Sequence, residues 1–363
     1  MRLALVRRNW FAVGLLLCSV AAWGQLPSAS RIFRVPYSAL SEPQESGVYL
    51  AVPFVRIGEP WSTFSGRKPR SQEEAALQEL LGALYRGDTA AAESRITPPK
   101  EVPAGKALAD YVAAFRASLV PVGELEVEGY FLLRGRVRFA LRPTVAKIPY
   151  RLITMRPGAD GRLRFDETQA PNKVDSAINS IFRVLKDAKL EATALPADGY
   201  ITVTAEPGVT VSAKAVRVNA DLDKMDVAAA DPALQFYKAC LDVPDRQSIE
   251  RYFHCFPAEV QTRLRGEYAK MSSEKQDQLF AMTSASRHVD FVVENPNSLI
   301  VYYHSNVYAV SSRDWIQRLA GGDFVLLNPL AFFPLDDLLS SPEVHEGIAA
   351  KLGLSRRTSA FGR

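Results

Sequence analysis

The sequence predicts an α+β protein of two tandem units, each with helices packed on a curved antiparallel sheet. Three observations lead there: residue types alternate with a period of two across Glu124 to Glu167, amphipathic helical segments precede that stretch, and the same order of elements returns later in the chain. In the alternating stretch Leu125 and Val127 oppose Glu124, Glu126 and Glu128. Val137, Phe139 and Leu141 oppose Arg136, Arg138 and Arg142. Ile148 to Arg156 runs into the turn Pro157-Gly158-Ala159-Asp160-Gly161, and Arg162 to Glu167 returns with Leu163 and Phe165 inward. Four strands with one apolar face and one wet face are expected, the apolar face covered by helices from elsewhere.

At 363 residues and 47% apolar content the chain is long enough for two ordinary cores. Residues 1–24 read as a secretory signal peptide. Arg2, Arg7 and Arg8 precede the apolar run Trp10 to Trp23, and Ala22-Trp23-Gly24 places small residues where a signal peptidase reads, with cleavage after Gly24. An uncleaved anchor is the rival reading. The run is shorter than the roughly 20 apolar residues a membrane span needs, and no later stretch approaches that length. Arg7-Arg8 lacks the flanks of a twin-arginine signal, and Cys18 lacks the small residue that precedes a lipidated cysteine. Cleavage removes three arginines and no acid, taking the formal net charge from +4 to +1. A nearly neutral mature chain gives no reason to expect a nucleic-acid partner. A periplasmic or secreted location follows, and the two cysteines left, Cys240 and Cys255, are an even pair in an oxidising compartment.

Residues 25–70 are rich in Pro, Ser and Gly and read as an extended arm with one strand, Gly47 to Ile57, ending in a basic joint, Gly66 to Arg70. The first unit spans 71–188. Ser71 with Glu74 makes a capping box, Leu77, Leu80, Leu81 and Leu84 make one stripe, and Gly87 is placed to end the helix. Asp88 or Thr89 caps a second helix (Ala90 to Ile96), and Leu108, Tyr111, Val112, Phe115 and Leu119 mark a third. After the sheet, Val174, Ile178, Ile181 and Leu185 align on a last helix. Residues 189–230 read as a linker with a small hairpin, Tyr200 to Thr204 and Val209 to Val218 around Glu206-Pro207-Gly208.

The second unit, 231–340, opens with Asp231 as N-cap before Pro232; Asp245 opens another helix, and Ala258 to Ala285 is helical with a break near Ser272-Ser273. Strands follow at His288 to Glu294, Leu299 to His304, Val307 to Val310, Trp315 to Leu319 and Phe324 to Leu327. LQELLGALYRGDTAAAESRI and LQFYKACLDVPDRQSIERYF share a helix, an Asp-containing turn and a second helix, a duplication of layout. Residues 341–363 supply a closing helix, with Val344, Ile348 and Leu352 aligned, and a basic tail.

Helices feeding a curved antiparallel sheet, with the Gly87-Asp88 turn after a Leu-rich helix, resemble the cone-shaped nuclear-transport-factor-like and ketosteroid-isomerase-like domains. The resemblance covers about 71–188 and 231–340 and implies two cone-like domains. Such folds host isomerases, dehydratases, cyclases and noncatalytic binding modules, so the resemblance supplies no reaction and carries over no catalytic residue.

The arginines Arg134, Arg136, Arg138, Arg142, Arg162 and Arg164 share one face of the first sheet and have the chemistry to bind a phosphate or an acidic glycan. Pairing across Arg134-Gly135 puts Glu124, Glu126 and Glu128 on that same face, so a solvated, self-paired surface competes, with cross-strand pairs of about 0.2–1 kcal/mol each. His288 and Asp290 project together, with Tyr302 and His304 across the next turn; a carboxylate-polarised histidine beside a tyrosine is general-base chemistry. The competing picture is an edge strand with His288 and Asp290 in water. Trp315, Phe324, Phe332 and Phe333 read as core first and as the lining of an apolar ligand box second. Cys240 and Cys255 fall on two helices of a hairpin. A disulfide there stabilises by about 3 kcal/mol, and two buried thiols are the alternative. No zinc spacing, phosphate loop or serine elbow occurs, so no cofactor and no metal is expected.

The expectation is an exported, noncatalytic binding or interaction protein of the cell envelope, partnered by another envelope protein or a small apolar ligand. A cofactor-free isomerase, lyase or hydrolase working in the second unit is the alternative, and a carrier of a small apolar ligand is the third.

Overall fold

The computed structural model describes residues 30–39, 42–99, 106–145, 148–169, 171–185, 193–195, 198–226, 231–305, 312–327 and 334–354. The expected signal peptide, the strand expected at Val307 to Val310, Phe332, Phe333 and the basic tail lie outside the described residues.

The chain opens with the hairpin β1 (Ser30–Ala39) and β2 (Glu42–Pro60), followed by α1 (Trp61–Gly66), α2 (Gln72–Arg86), α3 (Thr89–Glu93) and α4 (Lys106–Ala117). A meander follows, β3 (Leu125–Leu133), β4 (Arg136–Pro143), β5 (Arg151–Pro157) and β6 (Leu163–Phe165), closed by α5 (Lys173–Leu185). The same order then repeats. The hairpin β7 (Ile201–Glu206) and β8 (Val209–Asp221) leads to α6 (Pro232–Leu241), α7 (Glu250–His254), α8 (Ala258–Lys270) and α9 (Ser273–Thr283). The meander β9 (Arg287–Asn295), β10 (Ser298–Ser305), β11 (Ser312–Arg318) and β12 (Phe324–Leu326) ends in α10 (Pro334–Leu339) and α11 (Pro342–Lys351).

Local chemistry sets the helix ends. The Ser71 hydroxyl accepts from the Glu74 amide at the start of α2, and Gly87 takes the left-handed conformation at its end, φ 75°, where its amide reaches the Ala83 and Leu84 carbonyls. Asp88 caps α3 through the amide of Ala91, and Asp245 caps the turn that leads into α7 through the amide of Ser248. Cys240, on α6, and Cys255, at the end of α7, form a disulfide with a Cα–Cα distance of 6.0 Å. The open choice between a bond and two thiols is thereby closed.

All strand pairing is antiparallel, and the sheet runs β12-β11-β10-β9-β8-β2-β3-β4-β5-β6, with β1 on β2 and β7 on β8. The two meanders therefore meet through two long strands, β2 and β8, which pair over Val48–Ala51 and Thr210–Ala213. The stretch expected as an arm holds β1 and β2, and the stretch expected as a linker holds β7 and β8. Neither is peripheral, because β2 and β8 each continue into one meander.

The halves correspond residue by residue around this seam. On β2 the pairing with β3 slips between Arg56 and Glu59; on β8 the pairing with β9 slips between Arg217 and Ala220. Gly58 (φ 67°) and Asn219 (φ 48°) hold the left-handed position at these two bulges. The facing strands slip at Glu128 and at Asp290. With Arg56 matched to Arg217, Leu50 matches Val211, and these two residues lie opposite one another in the β2–β8 ladder. That places a local two-fold axis at the Leu50–Val211 pair.

Both faces of each meander are covered, so the structure is helix on sheet on helix. On one face of the first half, Leu125, Phe139 and Phe165 are buried under α1–α4, as their spacing predicts. On one face of the second half, Val289, Val301 and Ile316 pack against α6 and Phe256. The opposite face is continuous across the seam, where Leu50, Phe131, Val211, Phe291, Ile300 and Trp315 pack beneath residues of α5, α10 and α11. The expectation of a wet face fails here: Arg136 and Arg138 are each 5% exposed, because α5 lies over them.

Candidate functional site

The site grows from the failure of that wet face. The β4 register sends Arg136, Arg138 and Ala140 toward α5, and the first turn of α5 presents Asp175 to them. Arg136 Nε donates to Asp175 Oδ1 at 2.9 Å, and its other nitrogens reach Asn172 and Glu206. Arg138 donates to the Asp175 carbonyl at 3.0 Å, to its carboxylate at 3.2 Å and to Asn179 Oδ1 at 2.6 Å. Removing guanidinium ions from water costs several kcal/mol each, a cost offset here by the shared Asp175 carboxylate and, for Arg136, by Glu206 as well.

Compensation at Arg138 is incomplete. Its Nε is buried without an acceptor, as is Nε of Arg156 two strand positions beyond Thr154 on β5. Burial pulls the Arg138 guanidinium below its ordinary value; Asp175 opposes this, while Arg136 and Arg156 reinforce it. Arg287, buried in the second half, shows the opposite balance: burial works against its charge, but Tyr237, Asp314 and Tyr303 outweigh it and hold the guanidinium above its ordinary range.

Beside Arg138 lies a cavity of about 450 Å³ between β4, β5, α5 and the residues Asp166, Glu167, Gln169 and Pro171. Arg138, Arg156 and Thr154 stand on its sheet side. Asp175, Asn179, Phe182 and Arg183 come from one stripe of α5, and Tyr150 and Leu152 make an apolar wall with Phe182, whose ring meets Tyr150 edge-on at 4.9 Å. Arg156 has one acidic neighbour, Asp166 at 3.9 Å, and Asp166 already accepts from Thr168. Volume and mixed lining fit a small-molecule site.

Of the sequence-predicted arginines, Arg136 and Arg138 are thus at the site. Arg142 is self-paired as the competing reading holds, with Glu126 and with Glu128. Arg164 pairs with Asp160, and Arg134 and Arg162 are exposed. Asp175, Asn179, Thr154 and Arg156 were not anticipated. The signal available was faint: Asp175, Asn179 and Arg183 recur every four residues on α5, a pattern indistinguishable from a solvated helix face.

In the second half, His288, Asp290 and His304 do come together. His288 Nδ1 contacts Asp221 Oδ1 at 2.7 Å, His304 Nδ1 contacts Asp290 Oδ2 at 3.2 Å, and the two imidazoles lie 4.8 Å apart. They stand on β9 and β10 inside the sheet, which corrects the edge-strand picture. Their first-half counterparts are Glu126, Glu128 and Arg142, so His304–Asp290 repeats the Arg142–Glu128 contact across the same bulge. The two contacts occupy equivalent positions in the two halves. Tyr302 is fully buried, stacked on Phe291 at 4.6 Å with His345 beyond at 5.4 Å. Among the described residues no group of three or more His, Cys, Asp or Glu side chains is arranged to hold a metal ion.

Trp315 and Phe324 do not share a box. Trp315 lies under α10, its indole N–H donating to Asp336 at 3.2 Å, whereas Phe324 packs on Phe236 at the other face. Register makes Trp315 the counterpart of Thr154, Ile300 that of Arg138, and Gln317 that of Arg156. The position that is open and cationic in the first half is filled and uncharged in the second.

Comparisons with protein-family models, with curated proteins and with solved structures found no match to this chain. No helix among the described residues is long and apolar enough to cross a membrane.

Proposed function

We propose that this chain is an exported, noncatalytic binding protein of the cell envelope, made of two cone-like halves, whose first half binds a small anion between β4, β5 and α5. One observation carries the reading: Arg138, nine-tenths buried at the floor of a 450 Å³ cavity, has its charge only partly met, with Arg156 beside it. An arriving oxyanion would add negative charge beside the two guanidinium groups. The Cys240–Cys255 disulfide fits an oxidising compartment, and the segment before Gly24 fits export. The matched bulges at Gly58 and Asn219 support two halves of one plan.

The enzyme reading has less support, because His304–Asp290 takes the place of an Arg–Glu contact. The test is N-terminal sequencing of the protein recovered from the periplasm, together with calorimetric titration by phosphate and acetate. A mature chain beginning at Gln25 and saturable anion binding are expected. An intact N-terminus in the cytoplasm defeats the export claim, and an absence of binding by any anion defeats the binding claim.

A further inference from the structure

Resting on the anion reading above, we propose that the natural occupant of the first-half cavity is an organic monoanion: one carboxylate group joined to an apolar body. The cavity has two unlike walls. Arg138, Arg156 and Asn179 offer donors on one side, and Tyr150, Leu152 and Phe182 offer carbon on the other. A bare inorganic ion uses only the first wall and leaves most of 450 Å³ to water. An apolar ligand without charge makes no use of Arg138 and Arg156.

Acids bound the charge of the ligand. Asp166 lies 3.9 Å from Arg156, and Asp175 is already committed to Arg136 and Arg138. Glu167 lines the cavity and is exposed. A ligand carrying several negative groups meets these carboxylates at close range, which sets like-charge repulsion against the pull of Arg138, Arg151, Arg156 and Arg183 and favours a single acidic group over a polyanion. The counterpart position holds Trp315 in place of Thr154 and Ile300 and Gln317 in place of the two arginines, so the second half does not repeat this site among the described residues.

The experiment is isothermal titration of the full mature chain with octanoate, benzoate, inorganic phosphate, inositol hexakisphosphate and benzyl alcohol. Octanoate or benzoate is expected to bind at one site per chain, at least about tenfold more tightly than inorganic phosphate. Arg156→Gln is expected to weaken that binding by about tenfold or more, and Thr154→Trp, which copies the filled position of the second half, to abolish it. Arg164→Gln, on the surface, serves as the control and leaves affinity unchanged. Phosphate binding as tightly as benzoate, with the same response to Arg156→Gln, overturns the organic monoanion while leaving the anion reading intact. Tight binding of inositol hexakisphosphate overturns the preference for a single acidic group. Binding unaffected by both variants, or no binding at all, overturns both readings. Should Thr154→Trp not fold, Arg156→Gln together with the ligand series decides.

Discussion

Trp315 stands in the second half of the sheet where Thr154 stands in the first. The indole fills the space that is a cavity beside Thr154, and it ties β11 to α10 through Asp336, which also accepts from Arg313 at 2.5 Å. Trp315→Ala is expected to cost about 3–5 kcal/mol of stability through the void it leaves. Urea denaturation measures the loss, and anion binding in the first half is expected to survive under native conditions. A loss below about 1 kcal/mol would contradict the packing described for this residue.

Asp175 is the sole carboxylate shared by Arg136 and Arg138 among the described residues. Its replacement by alanine leaves Arg138 buried without its carboxylate and Arg136 with Glu206 alone. A destabilisation of about 3–5 kcal/mol is expected, the range for breaking a buried pair by removing one partner. Replacing both Arg138 and Asp175 by apolar residues is expected to recover part of this, and a double-mutant cycle gives the coupling.

Gly129 sits at the first-half bulge with φ 151°, and a Cβ there would lie 2.2 Å from the Val55 carbonyl oxygen. Backbone cannot yield as a side-chain tip can. Gly129→Ala is therefore expected to cost about 3 kcal/mol or more, read as a lowered melting temperature.

The Cys240–Cys255 bond closes a loop of sequence separation 15. Reduction is expected to cost about 3 kcal/mol in the chain-entropy account. Mass spectra before and after reduction should differ by two hydrogens, and equal masses would show free thiols.

His345 on α11 is buried against Phe291 and Tyr302, with Nε2 lacking a partner. Burial lowers its pKa from the ordinary 6.5, with Asp290 and Glu346 opposing and Arg313 assisting. The unfolded chain then binds the proton more readily than the folded one. This residue's contribution is complete above about pH 6.5 and is lost as pH falls below that value. His345→Phe is expected to flatten the stability profile between about pH 6.5 and 5 in urea titrations.

What was legible in the sequence was local. The Ser71 cap, the Leu77–Leu84 stripe and the Gly87 stop lie within one helix, and the alternation of Leu125, Phe139 and Phe165 lies within single strands, so each could be read without knowing the rest. The β2–β8 seam could not. Leu50 and Val211 are far apart in the chain, and neither hairpin carries a mark that says it is central. The site was missed for a related reason. Alternating arginines on β4 signify water unless something covers them, and what covers them is α5, whose polar stripe resembles an outer surface.

The seam also sets an order of events at the ribosome. Val48–Ala51 find their partners in Thr210–Ala213, which emerge about 160 residues later, roughly 8–30 s at ordinary rates of synthesis. For that interval the nascent first half carries an unsatisfied pairing edge, and intermolecular strand addition competes with completion of the fold. Chains truncated before β8 are left permanently in that condition.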